Sequence, residues 1–167
     1  MAGDEMTEAD RRTSTPTSGD GHGSEAWAPA VVLRRGEVAD IPALLAFWAV
    51  AGENASRPAD DATMVENLLG RDPDCLLVAE QAGVIVGTVI AGWDGWRAHL
   101  YRLAVDPGCR GQGVGRRLVE AAEDRLRTLG AIRFDAMVLS ENALGAHAWA
   151  AMGYRPQDDW TRWVRPA

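Results

Sequence analysis

An α/β chain of the mixed-sheet (α+β) kind, one sheet covered by helices on both faces, is what this sequence predicts, and three observations lead there. Stretches with apolar residues at helical spacing and stretches with strand-like alternation follow one another in the order βααβββαβαβ. The first strand is followed by two helices in succession, so it lacks a hairpin partner. Three alternate glycines, Gly111, Gly113 and Gly115, separate an apolar strand from a long amphipathic helix.

Residues 1–29 are rich in Thr, Ser, Gly and Asp, with almost nothing large to bury, so the entropy of ordering them goes uncompensated. They are expected to form a disordered acidic tail: Asp4, Glu5, Glu8, Asp10, Asp20 and Glu25 face only Arg11 and Arg12. Residues 30–167 are expected to form one domain. Val31-Val32-Leu33 reads as its first strand. Asp40 is placed to cap a helix carrying Ile41, Leu44, Leu45 and Trp48, with Pro42 tolerated in the first turn. A second helix starts after Asp60 or Asp61, carries Val65, Leu68 and Leu69, and stops at Gly70.

Strands are predicted over Cys75–Glu80 and Val84–Ala91, joined by a turn at Gln81-Ala82-Gly83, and then from Ala98 to Val105. The helix from Gly113 to Leu129 turns Leu118, Ala122, Leu126 and Leu129 to one face and ends at Gly130. Ile132 to Leu139 alternates like a strand, Ala143 to Met152 is a short helix closed by Gly153, and a last strand takes Tyr154 to about Val164, with Trp160 and Trp163 as core or sheet-surface residues.

Composition narrows the function classes. The formal charge of -7 argues against a general nucleic-acid binder but permits a local anion site, because distant charges are screened. No lysine occurs. Cys75 and Cys109 form no CxxC pair, so no metal site and no disulfide framework is expected, and free thiols suit the cytoplasm. The longest apolar run, Ile41 to Ala51, is too short to cross a bilayer, and the acidic N-terminus is unlike a secretory signal.

The glycine run carries the chemistry. Unpaired N–H groups and the positive end of the helix dipole hold an anion at a helix start, and glycines let the backbone come close. Arg110, Arg116 and Arg117 lie at the same end, where arginines oppose the dipole by roughly 0.3–1 kcal/mol each unless an anion reverses the sign. The dinucleotide pattern GxGxxG meets Arg116 or Leu118 where its last glycine belongs, and the P-loop pattern meets Val114 where it needs lysine. What remains is Arg-x-x-Gly-x-Gly at Arg110, Gly113 and Gly115, preceded by Leu-Ala-Val-Asp-Pro.

With these residues, and the element order from Val31 onward, the sequence resembles the GNAT superfamily of acyl-CoA-dependent N-acetyltransferases. The resemblance implies a mixed, mostly antiparallel, twisted sheet splayed between the fourth and fifth strands, with acetyl-CoA as acyl donor and no metal. It assigns the coenzyme pyrophosphate to Arg110, Gly111, Gln112, Gly113, Val114, Gly115 and Arg116. It assigns the pantetheine arm to the backbone of Leu103, Ala104 and Val105, and further coenzyme contacts to Asn142 and Trp149. The acceptor it implies is an amine of a small molecule or protein, with no nucleic acid or membrane as partner; a homodimer is compatible with it.

Two positions depart from the family pattern. Arg102 occupies the strand position where many relatives carry a carboxylate, leaving Glu141, His99, Asp94 and Glu53 as candidate bases, Glu141 foremost. Trp149 stands where the family's tyrosine protonates the leaving thiolate, and an indole offers only an N–H donor; His147 and Tyr101 are the other groups weighed for that step. Trp93, Trp96 and Asp94 cluster in the turn between the third and fourth strands, suited to a cationic amine or simply to a packed hairpin tip. The expected function is N-acetyl transfer by direct attack in a ternary complex; the alternative, motivated by Trp149 and Arg102, is a non-catalytic acyl-CoA-binding module.

Overall fold

The computed structural model describes residues 29–52, 59–159 and 161–165. Residues 1–28 of the expected tail, Glu53 and Trp160 lie outside them. Five strands form one sheet in the order of the chain: β1 (Val32–Arg35), β2 (Leu76–Gln81), β3 (Val84–Trp93), β4 (Ala98–Val105) and β5 (Phe134–Ala136). The first four are antiparallel to their neighbours, and β5 runs parallel to β4. Helices α1 (Ile41–Ala51) and α2 (Ala62–Arg71) follow β1, α3 (Val114–Thr128) follows β4, and α4 (Ala143–Ala151) follows β5.

Each face of the sheet buries its own core. On one side Ile41, Leu44 and Trp48 of α1 and Val65 and Leu69 of α2 meet Leu76, Val78, Ile90 and Ala104. On the other, Leu118, Val119, Ala122 and Leu126 of α3 pack on Ala79, Val89, Ala91 and Leu100, and Trp149 of α4 joins them. The spacing of these apolar residues, four per two turns on α3, is what a helix needs to bury one stripe. Gly87 sets how closely α3 sits. A β-carbon there would meet Leu118 Cδ1 at 2.9 Å and Val114 Cγ1 at 3.0 Å.

The ends of the elements follow local chemistry. The Asp61 carboxylate accepts the Thr63 amide and starts α2. Asp40 occupies the N-cap position of α1 as expected, but its side chain makes no cap bond there: it accepts the Glu37 amide at 2.8 Å and the Arg34 guanidinium at 2.7 Å, closing the preceding 3-10 turn. Ala82 and Gly83, at φ 52° and 78°, form the tight hairpin between β2 and β3.

The order predicted for the C-terminal part needs correction. Among the described residues no strand follows α4, so the observed order is βααβββαβα. Beyond Tyr154 the chain carries Pro156 and the polar run Gln157-Asp158-Asp159, and Trp163 stays 91% exposed rather than packed. The strand expected over 132–139 shrinks to three residues, with Ile132 fully exposed. So short a β5 offers little ladder for a sixth strand.

Candidate functional site

Where β4 and β5 part, the sheet opens. Their parallel pairing covers Ala98↔Phe134, His99↔Asp135 and Leu100↔Ala136 and goes no further. From Tyr101 to Val105, β4 is bonded to β3 alone, so its other edge presents main-chain groups to a widening gap. An end of pairing at this point agrees with the splay that the family resemblance implies. Leu103 and Val105 lean on the α3 side, and Ala104 is buried on the α1 side.

The same stretch of β4 carries a bulge. Thr88 pairs with Ala104 and Ile90 with Tyr101, so Val89 lies opposite two residues, Arg102 and Leu103. Arg102 sits at φ 55°, a left-handed conformation that costs a non-glycine residue roughly 1–2 kcal/mol. Interactions on both sides of its backbone hold it. Thr88 Oγ1 donates to the Arg102 carbonyl at 3.0 Å and accepts from Trp48 Nε1 at 2.9 Å. The guanidinium lies 4.8 Å from the centre of the Trp48 ring and pairs with Asp60, Nε to Oδ1 at 3.0 Å and Nη2 to Oδ2. The arginine that replaces the family's carboxylate is thus a nearly buried member of an ion pair.

At the end of β4 the chain turns through Pro107–Cys109, where Asp106 accepts the Gly108 amide, and enters α3 at Gly113. Gly111 and Gly113 adopt φ 74° and 80°, and α3 starts with no capping side chain and no acid in its first turn. Among the described residues, no hydrogen bond uses the amides of Gly111, Gly113, Val114, Gly115 or Arg116. A β-carbon placed on Gly111 or Gly113 would meet no atom within 4 Å. A row of open amides with vacant space before it, at the positive end of a helix, fits a phosphate-bearing group.

The arginines divide. Arg110 stays at the loop, its Nε donating to the Val105 carbonyl at 3.1 Å. Arg116 instead donates to the Ala151 carbonyl at the end of α4, and Arg117 to the Val31 carbonyl beside β1. The cluster of three countercharges drawn from the sequence is therefore one arginine at the loop and two that tie α3 to distant main chain. Gln112 steadies the loop by donating to the Gly108 carbonyl.

Across the gap, Asn142 is the cap of α4, its Oδ1 accepting the Gly145 amide at 2.8 Å. That explains Gly145, since a β-carbon there would lie 2.8 Å from Asn142 Nδ2. Glu141 is exposed beside it and accepts the Ser140 hydroxyl. Trp149 is buried in the α3 core and meets Tyr154 edge to face at 4.8 Å. The Tyr154 hydroxyl donates to Glu123 at 2.7 Å, and burial with that carboxylate pushes the phenol far up. His147 is exposed.

On the α2 face, Leu68, Arg71, Asp72, Cys75, Trp93 and Tyr101 line a cavity of about 170 Å³ that reaches the residue before the bulge. Burial pushes the Tyr101 phenol up and the Cys75 thiol to about 11, so both remain protonated at neutral pH. His99 and Asp94 stand at the same cavity. Asp94 is committed to the hairpin, accepting the Trp96 and Arg97 amides, which hold its carboxyl below the usual range; Trp96 is 85% exposed. Among the described residues there is no group of metal-ligating side chains, and no helix is long and apolar enough to cross a membrane.

Comparison with known proteins bears on this arrangement. The model of the acetyltransferase (GNAT) family matches residues 42–154. An acetyltransferase of Sodalis glossinidius is 37% identical over 103 residues, which make up 61% of this chain and 72% of that one. Among solved structures, a putative acetyltransferase from Salmonella typhimurium with its cofactor acetyl-CoA superposes with a TM-score of 0.62 at 24% identity, covering 75% of this chain and 80% of the other. A ribosomal-protein-alanine N-acetyltransferase from Brucella melitensis gives 0.60 at 26% identity, covering 73% and 83%.

Proposed function

This chain belongs to the GNAT family and is an acetyl-CoA-dependent N-acetyltransferase, and from that premise we propose that it passes the acetyl group by direct attack, in a ternary complex, to a primary amine of a small molecule or protein. The observation that carries this reading is the row of unengaged amides at the start of α3, set at the end of a strand whose outer edge is uncovered.

When bound, acetyl-CoA supplies a thioester carbonyl open to an amine and a thiol as leaving group. The amides from Gly111 to Arg116 hold the pyrophosphate, with Arg110 as the nearby cation and Gln112 and Val114 shaping the turn. The backbone of Leu103, Ala104 and Val105 bonds the pantetheine amides as an added strand would. An N–H of Leu103 or Val105 donates to the thioester oxygen as it gains charge. Asn142, besides capping α4, offers its amide nitrogen to the coenzyme, and Arg116 gives a more distant countercharge.

Glu141 takes the proton that the attacking amine must lose, directly or through water. Trp149 forms part of the wall on the α4 side and has no proton to give, so the thiol leaves without help from a phenol at that position. The cavity beside Tyr101 supports entry of the acceptor from the α2 face. The name of the Brucella relative places an acetylated amine on a ribosomal protein, which supports keeping protein amines among the acceptors.

Purified protein mixed with acetyl-CoA and a panel of amines, with free thiol and acceptor mass both followed, tests the proposal. Thiol release matched by a mass gain on one amine is the expected result. Tight coenzyme binding with no thiol released by any amine would instead favour a non-catalytic acyl-CoA-binding module.

A further inference from the structure

We propose that Arg102 is a positioning residue: its ion pair with Asp60 and its stacking on Trp48 hold the β4 bulge in the conformation that aims main-chain N–H at the thioester. This rests on the assignment of the acyl group to the opening beside β4. Three observations lead to it. The bulge, at Arg102 and Leu103, begins two residues beyond the last β4–β5 pair, Leu100↔Ala136, and so lies where the two strands part. Arg102 occupies the left-handed backbone conformation of the bulge, which a non-glycine residue adopts at a cost and which the surrounding contacts must sustain.

The third observation is how many independent contacts converge on that one residue. Its carbonyl is taken by Thr88, which is wholly buried and is itself fixed by Trp48 Nε1. Its guanidinium covers the face of the same Trp48 and forms two contacts with the Asp60 carboxylate. An arginine's planar fork suits such a paired and stacked site, and lysine would not reproduce it. Asp60 immediately precedes the cap of α2, so the pair also pins the entrance of that helix to the strand that carries the acyl site.

A role confined to stability and a role in positioning differ in what they do to a bound thioester. The test uses full-length protein and acetyl-CoA labelled with 13C at the acetyl carbonyl, read by NMR, with coenzyme affinity measured by calorimetry. In the unaltered protein the carbonyl resonance is expected to shift on binding, as hydrogen bonding polarises it. In Arg102→Gln and Asp60→Asn at least half of that shift is expected to be lost, while affinity for coenzyme A stays within about threefold, because the pyrophosphate is held elsewhere.

Removing one partner leaves a poorly compensated charge that can unfold the protein, so the double variant Arg102→Met with Asp60→Asn, which removes both charges, is made alongside. It too is expected to lose the shift. A carbonyl shift unchanged in any folded variant that binds coenzyme A would overturn the proposal. Failure of the unaltered protein to bind acetyl-CoA would overturn the underlying functional reading, and the proposal with it.

Discussion

Gly113 concentrates the account at the level of a single residue. At φ 80° with no atom within 4 Å of a β-carbon, it has conformational reasons to be glycine but no packing reason. Gly113→Ala is expected to cost about 1–2 kcal/mol of stability through strain alone. Gly113→Glu should cost a similar amount but also raise the coenzyme A dissociation constant at least 100-fold in a calorimetric titration, because its carboxylate enters the phosphate space. Equal affinities for the two variants would contradict this. Glu141→Gln is expected to lower kcat by roughly 10²-fold with little change in the acetyl-CoA KM; an unchanged kcat would remove Glu141 as the base. Trp149→Tyr restores a phenol, and turnover that stays the same or falls would exclude acid assistance from this position. The glycines were legible as a motif because local spacing suffices to see them. The pairing of Arg102 with Asp60, 42 positions apart, left no trace in the order of residues.

At the level of elements, one glycine and one ion pair bear on how the frame of the site is held. Gly87→Ala pushes a β-carbon against Leu118 and Val114 and is expected to destabilise by about 1–3 kcal/mol in a denaturant melt. Because Val114 opens α3, weaker coenzyme binding should accompany it. The Asp40 carboxyl is held below its usual range chiefly by the hydrogen bond from Arg34, against the opposing effect of burial. A depressed carboxyl pKa stabilises the fold above the unfolded value near 4 and loses that contribution as pH falls through the folded value. Arg34→Met should therefore cost about 1 kcal/mol at most at pH 7, a difference that shrinks below about pH 4; a constant difference in melting across that range would contradict the assignment. Strand and helix positions from β2 through α3 could be read from periodicity because each buries a regular stripe. The C-terminal strand could not, because Trp160, Trp163 and Val164 look like core residues in sequence, whereas Trp163 and Val164 are exposed and unpaired with any strand.

For the whole molecule, the parting of β4 from β5 makes the candidate site, with β4 supplying an edge beyond Leu100 that β5 does not pair, α3 an open helix end, and the α2 face a cavity proposed for the acceptor. An overall charge of -7 is no obstacle, because Arg110 stands at the loop itself and more distant charges are screened. Element order and the glycine motif together were enough to read the family and to pick out the loop whose amides the structure leaves open. The cavity on the α2 face was legible only at Trp93 and Asp94, since it joins them to residues of α2, the loop after it and β4 that no local pattern connects. The most direct test of the central claim is a 15N–1H spectrum recorded during titration with coenzyme A. The amides of Gly111, Gly113, Val114, Gly115 and Arg116 should move together and saturably, following the calorimetric affinity. Saturable binding that leaves those five resonances in place would contradict it.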